Sequence, residues 1–229
     1  MIRIMKKIIV IVGPTGVGKT KLSVELAKHY NGEIINADAM QIYRDLNIGT
    51  AKITEEEKGE ILHHLFDIKT VEEEYSIYNY QKDCRMKIEE IINRNKIPII
   101  VGGTGLYIKS SLYDYQLSEQ KEINLEYNNL STDELYQKLV SLDQEIVGKI
   151  DPNNRRRIIN AIHYYEENHK SISQNKTNTL LYDVVFIGLT TDRTKLYQII
   201  NNRVDKMMEN GLLNEVESFY KRKIFTKDG

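Results

Sequence analysis

The sequence predicts an α/β fold: a parallel sheet flanked by helices, with a helical insertion domain interrupting the alternation. Three observations carry this. Four short runs rich in Ile and Val are too uniformly apolar for a sheet with one wet face, so they read as buried parallel strands. The intervals between them are mostly helical in spacing, and a long polar stretch late in the chain holds helical signals without a convincing strand. With 229 residues the chain is long for one minimal domain and short for two full ones, which fits a core domain carrying an insertion.

The first run, Ile8 to Val12, closes the apolar stretch that begins at Met1. It leads into Gly13-Pro14-Thr15-Gly16 without a small-residue cleavage site, so it is a first strand and not a signal peptide. Leu22, Leu26, Ala27 and Tyr30 then form the stripe of a helix, and Glu33 to Ala37 is the second strand. Thr54 with Glu57 has capping-box spacing and opens a further helix. Ile77, Tyr80, Cys84, Ile88 and Ile91 mark the helix before the third strand, Ile97 to Val101. In the insertion, Ser131 with Glu134 is a second capping box, followed by helical signals over Leu135 to Leu142 and Ile158 to Tyr165. Ser171 to Asn178 reads as a mobile polar loop leading to the fourth strand, Val184 to Leu189. Thr194 to Phe225 is amphipathic through Leu196, Ile199, Ile200, Val204, Met207, Met208 and Leu212, and the chain then stops at Lys227-Asp228-Gly229 without a closing element, as a truncated chain would. The core is expected over 1–112 and 182–229, and the insertion over 113–181.

Composition narrows the function classes. Hydrophobic residues make up 41% and charged residues 28%, close to ordinary globular usage, and no apolar run approaches the ~20 residues of a membrane helix. A cytoplasmic chain, without a membrane partner and working as a monomer, is expected. The single cysteine, Cys84, excludes an internal disulfide framework and a thiolate zinc cluster; on its apolar helix stripe it reads as a packed small hydrophobe. A net charge of -1 neither requires nor forbids a nucleic-acid partner, since local patches matter more than the total.

Gly13-Pro14-Thr15-Gly16-Val17-Gly18-Lys19-Thr20 matches G-x-x-x-x-G-K-[ST] between a strand and a helix, the context this phosphate-binding P-loop requires. Glycines let backbone N–H groups turn onto an anion at a helix N-terminus, Lys19 supplies a point charge, and the Thr20 hydroxyl can complete a Mg2+ shell. A di- or triphosphate is the expected ligand. Asp38 follows the second strand, at the sheet end where ligands bind in open parallel sheets. Its carboxylate suits general base or water-mediated metal chemistry, or simply a helix N-cap, while Gln41 offers a donor and acceptor that match an adenine edge. Gly102 to Tyr107 ends the third strand, and Thr104 places a hydroxyl there; a glycine turn into a helix is the plainer alternative. Asp151 to Arg157 opens a helix with three consecutive arginines, a positive patch suited to RNA phosphates. His63-His64 lacks further ligands at metal spacing and reads as structural. Most of the 15 tyrosines sit within apolar patterns, at core or rim.

Several blocks in order, GPTGVGKT from Gly13, DAMQIYRDLNIGTAK from Asp38, HHLFDI from His63, VGGTGLYIKS from Val101 and the run Asp192 to Val216, resemble the tRNA dimethylallyltransferase (tRNA isopentenyltransferase) family. The resemblance implies magnesium-dependent transfer of a dimethylallyl group from dimethylallyl diphosphate to the N6 amine of the adenosine beside the anticodon in tRNA, with release of diphosphate. It implies that Gly13, Pro14, Thr15, Gly16, Val17, Gly18, Lys19 and Thr20 grip the donor diphosphate, with Thr20 near the metal. Arg203, otherwise an ordinary solvated helix charge, matches the arginine that clamps that diphosphate. Asp38 matches the general base and Gln41 the reader of a flipped base, with Ala39, Met40 and Thr104 beside the tRNA. Further tRNA contacts fall on Arg156, Arg157, Ile158, Ile159 and Asn160. Here the chain departs from the family: Asn153-Asn154 stands in place of Asn-Asp, Asn160 in place of arginine, the insertion is shorter, and the C-terminal block and basic tail are missing. An adenylate isopentenyltransferase using a free nucleotide, a P-loop small-molecule kinase and a non-catalytic diphosphate- or tRNA-binding protein are the competing readings.

Overall fold

In a computed structural model of the chain, residues 7–115, 117, 127, 129–174 and 179–224 are described. Residues 1–6 of the opening apolar stretch, residues 175–178 of the expected loop and Phe225 to Gly229 lie outside that set. The four Ile/Val runs form β1 (Lys7–Val12), β2 (Gly32–Asn36), β4 (Ile97–Val101) and β5 (Asp183–Gly188), all parallel, in the α/β arrangement the sequence predicts. A fifth strand was not expected: β3 (His63–His64) pairs with Ile34 and Ile35 and completes the order β3-β2-β4-β1-β5. Two residues carry no readable periodicity, so only the pairing partner defines this strand. Both histidine side chains are engaged within the fold. His64 Nε2 meets the Glu33 carboxylate at 2.7 Å, and His63 Nδ1 lies 2.8 Å from the Ile61 carbonyl.

The chain divides into two compact units, Met1–Leu112 with Leu180–Gly229, and Tyr113–Thr179. In the first, β1 runs into α1 (Lys19–Tyr30), whose buried edge is Ser23, Val24 and Ala27; Leu22 and Leu26 pack beside it. Tyr30, expected on the stripe, is exposed at the last position of the helix. The Thr54–Glu57 capping box opens the single-turn α2 (Glu55–Lys58) as expected. α3 (Ile77–Asn93) buries Tyr80, Cys84, Ile88 and Ile91, and burial pushes the Cys84 thiol up to about 11, the inert packed cysteine the pattern predicts. α4 (Gly105–Leu112) follows β4.

The second unit is helical among its described residues. α5 (Thr132–Leu142) starts at the Ser131–Glu134 capping box, and α6 (Arg155–Asn168) packs Ile158, Ile159, Ala161 and Ile162 against Leu135 and Leu139. The chain returns to the first unit for β5, then α7 (Arg193–Glu209) and α8 (Leu212–Lys221). The expected single amphipathic run is thus broken at Asn210-Gly211, where Gly211 has φ +95°. No residue of these two helices is buried, and Val204, Met208 and Leu213 are exposed. Among the described residues no helix is long and apolar enough to cross a membrane.

Candidate active site

The loop between β1 and α1 is bent where its sequence allows. Gly16 has φ +84°, and a Cβ there would lie 2.6 Å from Ile199 Cγ2, so both conformation and space select glycine. Lys19, the first residue of α1, folds over this loop and donates from Nζ to the carbonyls of Gly13 at 2.8 Å and Pro14 at 2.7 Å. Burial lowers its pKa, the charge of Asp38 opposes that, and Arg203 adds to it, which places three charged groups within one field. Thr20 follows with an exposed side chain.

Asp38 sits past the end of β2 on a backbone fixed by Asn36, a residue the sequence reading passed over. The Asn36 side chain is 2% exposed; its Oδ1 accepts from the Asp38 N–H at 2.9 Å, and its Nδ2 donates to the Asp38 and Leu65 carbonyls, each at 3.0 Å. A polar residue directly after the apolar Ile34-Ile35 pair, at the end of the strand, was the available signal. Asp38 caps no helix. Its Oδ1 accepts from the Met40 N–H at 2.9 Å in a side-chain turn, and Oδ2 has no hydrogen-bond partner among the described residues.

Thr104 joins the neighbouring strand end to this one. Its hydroxyl accepts from the Ala39 N–H at 3.2 Å, and its own N–H donates to the Ala37 carbonyl at 3.1 Å. It also precedes α4, which is the glycine turn into a helix of the plainer expectation. Gly102 makes this contact possible: a Cβ there would lie 2.2 Å from the Ala37 carbonyl oxygen.

Arg203 reaches the same sheet end from α7. It is not an ordinary solvated charge: it is partly buried, donates from Nη2 to the Thr50 carbonyl at 3.1 Å, and burial lowers its pKa while Asp38 opposes the shift. The Thr50 carbonyl also accepts from Gln41 Nε2 at 3.0 Å, so the Gln41 side chain is oriented by the protein itself. Ala39 is partly buried and Met40 is 52% exposed. Tyr107, three residues after Thr104, is buried and stacked on Tyr80 with ring centroids 3.9 Å apart. Among the described residues no group of three or more His, Cys, Asp or Glu could hold a metal.

The expected RNA patch in the helical unit is reduced. Arg155 turns inward and donates to the Leu130 and Tyr127 carbonyls, each at 2.6 Å, so the three arginines present two exposed charges, Arg156 and Arg157. Asn160 is exposed on the next turn. Ile158 and Ile159, 0% and 7% exposed, are core residues of this unit, and their side chains are withdrawn from any RNA surface. Helical periodicity explains the split, because residues three and four apart share a face: Arg155, Ile158, Ile159 and Ile162 turn inward together, and Arg156, Arg157 and Asn160 turn outward. Asn154, in place of the family's aspartate, accepts from the Arg157 N–H at 3.1 Å and serves as the N-cap of α6.

A family model described as IPP transferase matches residues 41–228. The tRNA dimethylallyltransferase of Anoxybacillus flavithermus is 48% identical over 223 residues, covering 95% of this chain and 72% of that protein. The enzyme of the same name from Bacillus subtilis is 46% identical over 227 residues, covering 95% and 72%. Among solved structures, one described as crystallographic snapshots of eukaryotic dimethylallyltransferase acting on tRNA superposes with a TM-score of 0.88 at 36% identity, covering 95% of this chain and 56% of that one. A tRNA delta(2)-isopentenylpyrophosphate transferase from Staphylococcus epidermidis gives a TM-score of 0.67 at 42% identity, covering 96% and 75%. With the family model spanning most of its length and such identities across nearly all of it, the chain belongs to the IPP transferase family.

Proposed function

We propose that this chain transfers a dimethylallyl group from dimethylallyl diphosphate to the N6 amine of the adenosine 3′ of the anticodon in tRNA, releasing diphosphate, in the cytoplasm and as a monomer. The observation that carries the reading is the convergence of Lys19, Asp38 and Arg203 at the phosphate-loop end of the sheet. The names of the curated relatives support prenyl transfer to tRNA over a kinase or a free-nucleotide acceptor.

The donor's diphosphate lies in the loop Gly13 to Thr20 at the start of α1, on its backbone N–H groups other than at Pro14, which has none, with Lys19 and Arg203 balancing its charge. The adenosine, flipped from the anticodon-loop stack, presents its N6 to the allylic C1 carbon. The new N–C bond forms as the C–O bond to the diphosphate breaks, the bonding pair leaves with the diphosphate, and Asp38 Oδ2 takes the N6 proton. Thr104 fixes Ala39 and the backbone beside Asp38. Gln41 holds the base by its amide, and Arg156, Arg157 and Asn160 meet RNA phosphates.

The donor set suits Mg2+ as an ion carried with the substrate: the Thr20 hydroxyl and the hard oxygens of a diphosphate match its preferences, and among the described residues there is no cluster of three or more carboxylates to cage it. When bound it would neutralise charge on the leaving diphosphate. The test is incorporation of labelled dimethylallyl diphosphate, with magnesium, into an unmodified anticodon stem-loop run beside free AMP. Label in the stem-loop alone is expected. Label in AMP alone would establish a free-nucleotide acceptor instead, and no label in either would overturn prenyl transfer by this chain.

A further inference from the structure

The loop that carries Thr50 is held by a carboxylate far away in the sequence. Three consecutive backbone N–H groups converge on Glu215 of α8: Asn47 and Ile48 donate to Oε2 at 2.9 and 2.7 Å, and Gly49 donates to Oε1 at 2.9 Å. Successive N–H groups turned to one side form a concave nest for an anion, and here the anion is supplied by the protein. The contact is close-packed as well, since a Cβ on Gly49 would lie 3.3 Å from Leu212 Cδ1.

The rest of the loop transmits this hold. The Thr50 hydroxyl donates to the Leu46 carbonyl at 2.6 Å, and the N–H groups of Ala51 and Lys52 donate to the Ile48 and Asn47 carbonyls, each at 2.9 Å. The carbonyl of Thr50 is thereby fixed in space, and it is the acceptor shared by Arg203 and Gln41. The loop's other end is anchored separately, by Lys52 Nζ on the Tyr43 carbonyl and the Asp67 carboxylate. Asn47 and Gly49 are exposed, so without Glu215 water can satisfy their N–H groups, but the Thr50 carbonyl is no longer pinned.

We infer that Glu215 is a positioning residue: through the 47–49 nest and the Thr50 carbonyl it sets the orientation of Arg203 and Gln41. Its kinetic consequence rests on the proposed function, in which Arg203 clamps the donor diphosphate. Arg203 keeps its charge when Glu215 is removed and loses its preset direction, so donor binding weakens while the chemistry of bound donor changes less.

The test compares wild type, Glu215→Ala, Arg203→Ala and the double variant. Readouts are amide exchange at Asn47 to Gly49, the NMR signal of the Arg203 side-chain N–H, binding of inorganic pyrophosphate, and the donor KM and kcat. Glu215→Ala is expected to speed exchange, to move or broaden the Arg203 signal, and to raise the pyrophosphate Kd and donor KM about tenfold, the scale of one charge-assisted hydrogen bond, with a smaller change in kcat. The double variant should be no worse than Arg203→Ala alone. Glu215→Gln keeps one carboxyl-type oxygen but sets an amide N–H against a third donor, so it should fall between; it also carries the comparison if the alanine variant does not fold. A lowered Tm with the Arg203 signal and the pyrophosphate Kd unchanged, or losses that add in full, would overturn the inference. If wild type neither binds pyrophosphate nor transfers a prenyl group, the proposed function fails. The Arg203 signal then decides this point alone: a shift in Glu215→Ala sustains the link and an unchanged signal ends it.

Discussion

Lys19 and Asp38 illustrate how far a residue's role can be taken from its type and place. Lys19 rests on the carbonyls of Gly13 and Pro14, weak partners for an ammonium that a diphosphate would outcompete. Lys19→Ala is expected to weaken binding of pyrophosphate by about 10- to 100-fold, the range of a lost hydrogen bond to a charged group, while affinity for an anticodon stem-loop stays within about twofold. Titration calorimetry and fluorescence anisotropy on the same preparations check this, and equal loss of both would argue against separate donor and acceptor subsites. Asp38→Asn keeps the side-chain turn onto Met40 but removes the base, so single-turnover rate should fall about 10²- to 10⁴-fold with donor affinity nearly unchanged. Both residues were legible because each lies in a contiguous motif at a strand end. Asn36, which fixes the Asp38 backbone, was not, because its importance lies in what its side chain reaches.

At the scale of elements, local chemistry accounts for most starts and stops. The capping boxes at Thr54, Ser76 and Ser131 all form, although Ser76 pairs with Asn79 and lacks the Glu or Gln that marks the motif in a sequence. Asn154 is the N-cap of α6, the helix that carries Arg156 and Arg157. Asn154→Ala should lower stability by about 1 kcal/mol, read as a fall in Tm, whereas Asn154→Asp restores a cap of equal quality and should leave Tm nearly unchanged. The same α6 shows where element-level reasoning stops. A run of three arginines is one patch on paper, but a helix turns each residue about 100° from the last, and Arg155 is carried inward to carbonyls of another segment.

At the scale of the molecule, contacts across the sheet control both stability and the site. Glu33 on β2 is buried, and burial alone would push its carboxyl up. Hydrogen bonds from Arg94, His64 and Lys96 outweigh that and hold it at about 2. A group with a depressed folded pKa stabilises above its unfolded value, about 4.5, and that stabilisation is lost as pH falls toward about 2. Thermal melts between those limits should therefore show a steeper loss of Tm for wild type than for Glu33→Gln, which should start from a lower Tm at neutral pH. At the other end of the sheet, Gly102→Ala would put a methyl 2.2 Å from the Ala37 carbonyl, with only backbone to move. It should cost a few kcal/mol of stability and part the Thr104–Ala39 contact, cutting transfer rate at temperatures where the variant remains folded.

The sequence by itself determined the alternation of strands and helices, the phosphate loop, the helical character of the insertion and the family. These are carried by short-range periodicity and contiguous motifs, which act within a few residues of chain. Only the tertiary structure decided that Arg203 meets the Thr50 carbonyl from 153 positions away, that Glu215 closes the 47–49 nest, that His63 and His64 form an edge strand, and that Ile158 and Ile159 are core. Such contacts depend on which helix face turns inward and on where a returning segment lands. Those choices are fixed by packing of the whole unit and leave no signature at either position alone.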